Sequence, residues 1–137
     1  MMIWVRFLYV VEVQFKRIVN DGVAAIAGTV GSSVVIRPSH HAIGTGSTTV
    51  LATDTALNAE TDRNPLSSVD LSVSQNITFI SDFSSTEISG TSVAEFGLFN
   101  AASAGSLFHR ESIETIAFSG DRELQIQSTI RFSRSGA

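Results

Sequence analysis

Apolar residues fill every odd position from Ile3 to Phe15: Ile3, Val5, Phe7, Tyr9, Val11, Val13 and Phe15. The even positions mix Trp4, Leu8 and Val10 with Arg6, Glu12 and Gln14. Side chains alternate across a strand with a period of two, so this run predicts a β-strand whose Trp4 end is apolar on both faces. Two placements are open to it. It can join the domain's own sheet, or residues 1–13 can form an arm that completes a neighbouring subunit's sheet, because strand edges pair readily. In the second case Ile3, Trp4, Val5, Phe7, Leu8, Tyr9 and Val10 form a subunit interface.

The period then changes. Phe15, Ile18, Val19, Gly22, Val23 and Ile26 follow the i, i+3, i+4, i+7 spacing of an apolar helix stripe, with Lys16, Arg17, Asn20 and Asp21 opposite. The spacing predicts a helix over residues 14–27, ended by Gly28 or Gly31 and packed across a sheet.

Beyond Gly31 the pattern is β-like. Residues 33–37 and 39–43 read as short strands divided at Pro38, and 44–52 as a loop of Gly, Ser and Thr. Thr53 or Asp54 can cap a helical turn through Leu57. Pro65 makes 60–64 an edge or irregular strand. Val69, Leu71 and Val73 alternate with polar residues. After a turn at Gln75-Asn76, the alternation resumes with Ile77, Phe79, Ser81 and Phe83. Further strands are expected at 93–99 and, bent, at 107–118.

The last strand is the most regular. Leu124, Ile126, Ile130 and Phe132 point inward, while Glu123, Gln125, Gln127, Thr129 and Arg131 point out. Gly120-Asp121 suits a hairpin turn before it, residues 84–92 a mobile loop, and residues 133–137 a fraying end. Together these elements predict a mainly β chain: a β-sandwich or jelly-roll-like domain over residues 14–137 with one N-terminal amphipathic helix.

Composition narrows the partners. The chain has 137 residues, 43% hydrophobic and 16% charged, which describes one folded domain. A net charge of −4 without any basic cluster argues against a nucleic-acid surface. There is no cysteine, so disulfides and thiolate metal sites are excluded. The apolar first thirteen residues are too short to span a bilayer and are interrupted by Arg6, so no membrane partner is expected. Glu12, Gln14 and Lys16 suit a signal-peptide cleavage region poorly.

Candidate chemistry is sparse. His40 and His41 are adjacent and point to opposite faces of a strand, a poor arrangement for one metal; a trimer axis could still gather three copies of one histidine. Glu95, between Ala94 and Phe96, reads as a polar group at a strand bend that Arg110 or Arg63 could satisfy. Pairing it with Asp82 or Glu87 as a glycosidase acid and base has no support in the spacing. Gly44-Thr45-Gly46-Ser47 lacks the Gly-Lys-Ser/Thr of a phosphate loop, and no serine sits in a Gly-x-Ser-x-Gly elbow. No catalytic group, metal site or cofactor is expected.

Two blocks carry a resemblance. Ala42-Ile43-Gly44-Thr45-Gly46-Ser47-Thr48, followed by Thr53-Asp54-Thr55-Ala56-Leu57-Asn58-Ala59-Glu60, resembles "AIGTGTT…ATDTALGAE". Glu95-Phe96-Gly97-Leu98-Phe99-Asn100-Ala101-Ala102-Ser103-Ala104-Gly105-Ser106-Leu107-Phe108 resembles "EAGLFNAASGGTLLAR". Both belong to a module of tail-fibre, tail-collar and other virion structural proteins of tailed bacteriophages. The likeness covers residues 16–132, with Gly44, Gly46, Asp54, Leu57, Glu95, Gly97, Leu98, Phe99 and Asn100 as its structural positions. His40-His41 stand in place of the usual "THIAIG" lead-in, Phe96 replaces Ala or Val, and the 84–90 loop is a variant. The resemblance implies a non-enzymatic virion protein, made in the host cytoplasm and built into the tail, collar, baseplate or fibre attachment. Its partners would be other virion proteins and itself as a homo-oligomer, a trimer among the arrangements open. A capsid decoration (cement) protein is the alternative, and a carbohydrate-binding tip a third.

Overall fold

A computed structural model describes residues 5–14 and 18–132, except for the side chains of 5–14. Eight strands and one helix follow in order: β1 (Val5–Gln14), α1 (Asn20–Gly31), β2 (His40–Gly44), β3 (Glu60–Pro65), β4 (Ser68–Asp70), β5 (Asn76–Phe83), β6 (Ser92–Phe99), β7 (Leu107–Ala117) and β8 (Arg122–Arg131). They form two four-stranded sheets, β1-β8-β5-β4 and β3-β2-β6-β7. All pairings are antiparallel except β1 with β8, which runs parallel from Val5 beside Arg122 to Gln14 beside Arg131.

The sheets face each other across an apolar core, as a β-sandwich. One sheet supplies Phe83, Leu124 and Ile126, and the other Ile43, Val93 and Phe96. A second cluster closes one end, where Ile18 and Ala25 meet Phe79, Leu98, Phe108 and Ile130. Its geometry depends on a bulge in β7. Leu98 faces His109 but Phe99 faces Leu107, so Phe108 is the extra residue. The bulged Phe108 carbonyl accepts a hydrogen bond from Val19 N (3.0 Å). α1 approaches so closely that a Cβ on Gly22 would lie 2.4 Å from the same oxygen.

Several expectations are corrected. The helix starts at Asn20, not residue 14, because Ile18 and Val19 are buried as its extended entry and are tied to β7. It runs on to Gly31. Residues 33–37 form no strand: the Thr29 hydroxyl bonds both the N–H and the carbonyl of Ile36, and Val34 and Val35 stay exposed. Asp54 caps no helix; its carboxylate holds Leu51 N at 2.9 Å in a turn. β4 ends at Asp70, leaving Leu71 in a loop and Val73 at the start of a turn closed by Asn76 N on Val73 O (3.1 Å). Gly120-Asp121 joins two sheets instead of closing a hairpin, since β7 and β8 belong to different layers. Thr129 points outward from β8 as expected, yet it is buried there, its hydroxyl paired with that of Thr78 at 2.9 Å. Residues 84–91 fold as a compact turn anchored by fully buried Ile88.

Other expectations hold. β3 is an edge strand, β5 and β6 lie where the alternation put them, and β7 is long and irregular. The expected fraying end at residues 133–137 lies outside the described residues.

Candidate functional site

The motif positions gather on the outer face of the β3-β2-β6-β7 sheet. The register sets Gly44 beside Glu95, Ala42 beside Gly97, and Gly97 beside Arg110. Over this face folds the 45–59 loop, and Glu95 holds it down. One carboxylate oxygen, Oε2, accepts from Gly46 N (2.8 Å) and Ala59 N (2.7 Å). The other, Oε1, accepts from Asn58 N (2.8 Å) and Arg110 Nε (2.9 Å). Arg110 spends its remaining donors on Thr48 O and Oγ1 (both 3.0 Å), Asp54 Oδ2 (3.2 Å) and Thr49 O (3.5 Å).

Glu95 is 0% exposed and Arg110 2%. Burial pushes the Glu95 carboxyl upward, but the N–H groups of Ala59 and Asn58, Arg110 and the Gly46 N–H outweigh it, holding the group below the ordinary carboxylate range. With two bonds on each oxygen and every guanidinium N–H used, neither group is free to meet a substrate. The pair is a clasp. Beside it an open polar cleft of about 320 Å³ is lined by Thr48, Thr53, Asp54, Thr55 and Asn58, with Arg110 at its wall.

The glycines follow from the clasp. A Cβ on Gly46 would sit 2.4 Å from Glu95 Oε2 and from Asn58 Cβ; on Gly44 it would meet Ala59 O at 2.5 Å. Gly46→Ala is therefore expected to destabilise the fold by about 1–3 kcal/mol, read as a lower urea midpoint with unchanged slope. A neutral result would mean that the loop can lift away without cost.

Leu57, on the same loop, packs with Ala42, Phe99, Leu107 and Val19. Leu98 faces the other way, into the cluster under α1. Asn100 opens the β6–β7 turn, its Oδ1 taking Ser106 N at 2.6 Å, while Ala104 and Gly105 adopt positive φ (50° and 77°). Arg63 secures that turn. Its guanidinium lies 3.7 Å from the Phe99 ring centroid, donates to the carbonyls of Ala101 and Ala104, and is held by a two-point bond to Glu60. Of the two arginines weighed for Glu95, Arg110 takes it and Arg63 serves the turn.

A second polar group lies between the sheets. His41 Nδ1 contacts Ser81 Oγ at 2.7 Å, and its Nε2 contacts Ser128 Oγ at 2.8 Å. Ser128 Oγ also meets His109 Nε2 at 3.3 Å, and His109 Nδ1 is buried without a partner. One arrangement satisfies every contact and leaves no buried N–H unpaired: His109 Nε2–H donates to Ser128, Ser128 to His41 Nε2, and His41 Nδ1–H to Ser81. The orphan atom is then a bare lone pair, less costly than an unpaired N–H. Phe96 stands edge-on to both rings, with centroids 6.4 and 5.8 Å away. Burial lowers the His41 pKa to about 3, with His109 adding to the shift, and burial lowers His109 to about 4. Both imidazoles are neutral.

This cluster joins side chains from β2, β5, β7 and β8, none of which sequence spacing could bring together. Ser81 and Ser128 carried no signal beyond lying at inward positions of their strands. Asp82 bonds Gln125 and Glu87 bonds the Ser84 and Asn64 groups, so neither forms an acid–base pair with Glu95. Among the described residues no three His, Cys, Asp or Glu side chains gather as a metal site, and no helix is long and apolar enough to cross a membrane. Ile3 and Trp4 lie outside the described residues. Val5, Phe7, Leu8, Tyr9 and Val10 fall in β1, which pairs with β8 of its own chain. Comparison with known protein families, curated proteins and solved structures finds no match.

Proposed function

We propose that this chain is a non-enzymatic virion structural protein of a tailed bacteriophage, a homo-oligomeric component of the tail, collar, baseplate or fibre attachment. One observation carries the reading. Gly44, Gly46, Asp54 and Leu57 from one motif block and Glu95, Gly97 and Phe99 from the other meet on the same face of one sheet, joined by Glu95 and Arg110. The residues that carry the resemblance thus share a physical task in this fold, which supports the reading. That task is mechanical, because the buried charges are spent on holding a loop against a sheet. Buried ionic groups spent in this way on rigidity suit assembly better than turnover.

Quantitative mass spectrometry of purified particles of the phage encoding this chain tests the reading. A tail or fibre component should appear at a small fraction of the major head protein. Near-equal stoichiometry would transfer the protein to head decoration, and absence from the particle would overturn a virion role.

A further inference from the structure

A polar belt interrupts the core. Along β8 the inward positions run Leu124, Ile126, Ser128 and Ile130, and along β5 Phe79, Ser81 and Phe83. Ser81 and Ser128 thus lie between the two main apolar clusters, and His41 of β2 and His109 of β7 meet them from the other sheet. All four side chains are fully buried. Replacing every member of a satisfied polar group by apolar residues of similar shape is close to neutral for stability, so the fold does not require this belt.

The two imidazoles are not equivalent. Both ring nitrogens of His41 are engaged, Nδ1–H on Ser81 (2.7 Å) and Nε2 by the Ser128 hydroxyl (2.8 Å). His109 uses only Nε2–H, on Ser128 at 3.3 Å, and its Nδ1 is a buried lone pair. A proton entering at His109 Nδ1 breaks no hydrogen bond. A proton on His41 Nε2 does: Ser128 then faces two N–H donors, and its own hydroxyl proton loses its acceptor.

The other charged and titratable groups on the packed elements bond elsewhere. Glu95 and Arg110 are clasped on the outer face of β6 and β7, Asp82 of β5 takes the Gln125 amide, and His40 bonds Ser39. Glu123 and Arg131 take outward positions of β8, and Asp21 of α1 is exposed. Glu111, two residues beyond His109 on the inward side of β7, is half-buried with a partner of its own. On β3 the register sets Asn64 beside His41; its amide bonds Glu87, and Asp62 lies two residues back. On β1 it sets Val11 beside Ser128. No carboxylate bonds either imidazole among the described residues. The charge that acts on His41 is that of His109, and it opposes a second proton.

We propose that the belt is a two-step acid switch: His109 takes the first proton at Nδ1 inside the folded sandwich, and the second, at His41 Nε2, breaks the bridge between the sheets. The first step leaves a folded, singly charged form; the second opens the sandwich. The order follows from which ring nitrogen is unengaged, and it does not rest on the virion reading.

Histidine side-chain NMR of the full chain, titrated from pH 7.5 to 3.5 alongside its amide spectrum, tests it. The expected result is an interval in which His109 has become imidazolium while His41 and the amide spectrum stay native, His109 leading by about one pH unit. Loss of the native amide spectrum should coincide with the titration of His41. Ser128→Ala frees His41 Nε2 and keeps both rings, so the lead should narrow. Should that variant fail to fold, the wild-type titration decides alone. Histidines that titrate together, His41 titrating first, unfolding with His109 still neutral, or a lead unchanged in Ser128→Ala each overturns the proposal.

Discussion

Glu95→Ala is expected to remove about 3–5 kcal/mol of stability, because it leaves the buried Arg110 charge and three backbone N–H groups without their acceptor. A domain of this kind holds only about 5–15 kcal/mol in total, so the variant should stand near the edge of folding. Glu95→Gln is not a mild change. Its amide nitrogen must face either the Gly46 and Ala59 donors or those of Asn58 and Arg110, donor against donor. Pairing Glu95→Ala with Arg110→Leu should recover part of the loss, since the double variant leaves no fully buried unpaired charge; Asp54, which also loses its cation, is 20% exposed and can be solvated. Urea unfolding followed by circular dichroism measures all four corners of the cycle. A Glu95→Ala cost below about 1 kcal/mol would show that the loop is not held by this carboxylate.

Acidification is expected to unfold the protein through the inter-sheet histidines before it reaches the carboxylates. His41 and His109 have folded pKa values of about 3 and about 4, against 6.5 for the free side chain. Between these limits the unfolded chain binds protons that the folded chain refuses, so stability falls as pH falls. It is intact above about pH 6.5. Below that, each imidazole removes a little over 1 kcal/mol per pH unit, roughly 2–3 kcal/mol per unit for both. Glu95 acts in the same direction but further into acid: with its pKa held below the ordinary range, its contribution begins to fade as pH falls below the ordinary carboxylate value and is gone once pH has passed the lowered one. Urea midpoints measured from pH 7.5 to 4.5 should therefore drop steeply, and His109→Leu should remove about half of the slope. A slope unaltered in the variant would place the acid sensitivity elsewhere.

Much of the architecture was legible because burial here follows simple periods. β5, β6 and β8 lie where apolar residues alternate, and each contributes its inward set to the core: Phe83, Phe96, Leu124 and Ile126 among them. Patterns failed where a local preference met a tertiary constraint. The helical stripe from Phe15 was cut at its start because Val19 is recruited by the bulge at Phe108. The adjacent Val34 and Val35, and the alternating Val69, Leu71 and Val73, found no second layer within the described residues, and so appear as exposed chain. Arg110 was foreseen as one of two partners for Glu95, but the loop N–H groups that complete the clasp were not. Their positions depend on how 45–59 folds back over the sheet.

The resemblance and its departures also divide in space. The motif glycines, Asp54 and Glu95 lie outside the sheet with the clasp. His41 and Phe96, two of the departures, meet inside it, where Phe96 packs edge-on between His41 and His109. A single strand, β6, thus sends Glu95 to one face and Phe96 to the other.

By itself the sequence determined that the chain is mainly β, with a helix after its first strand, and which side of most strands is apolar. These properties depend on neighbours a few residues apart, which the chain order specifies directly. Only the tertiary structure decided that β1 pairs with β8 and that β7 and β8 part into different sheets. It also decided that Glu95 spans some fifty residues to Gly46 and that two histidines share one serine. Each of these joins residues distant in the chain, and many foldings of the same local pattern would leave them apart.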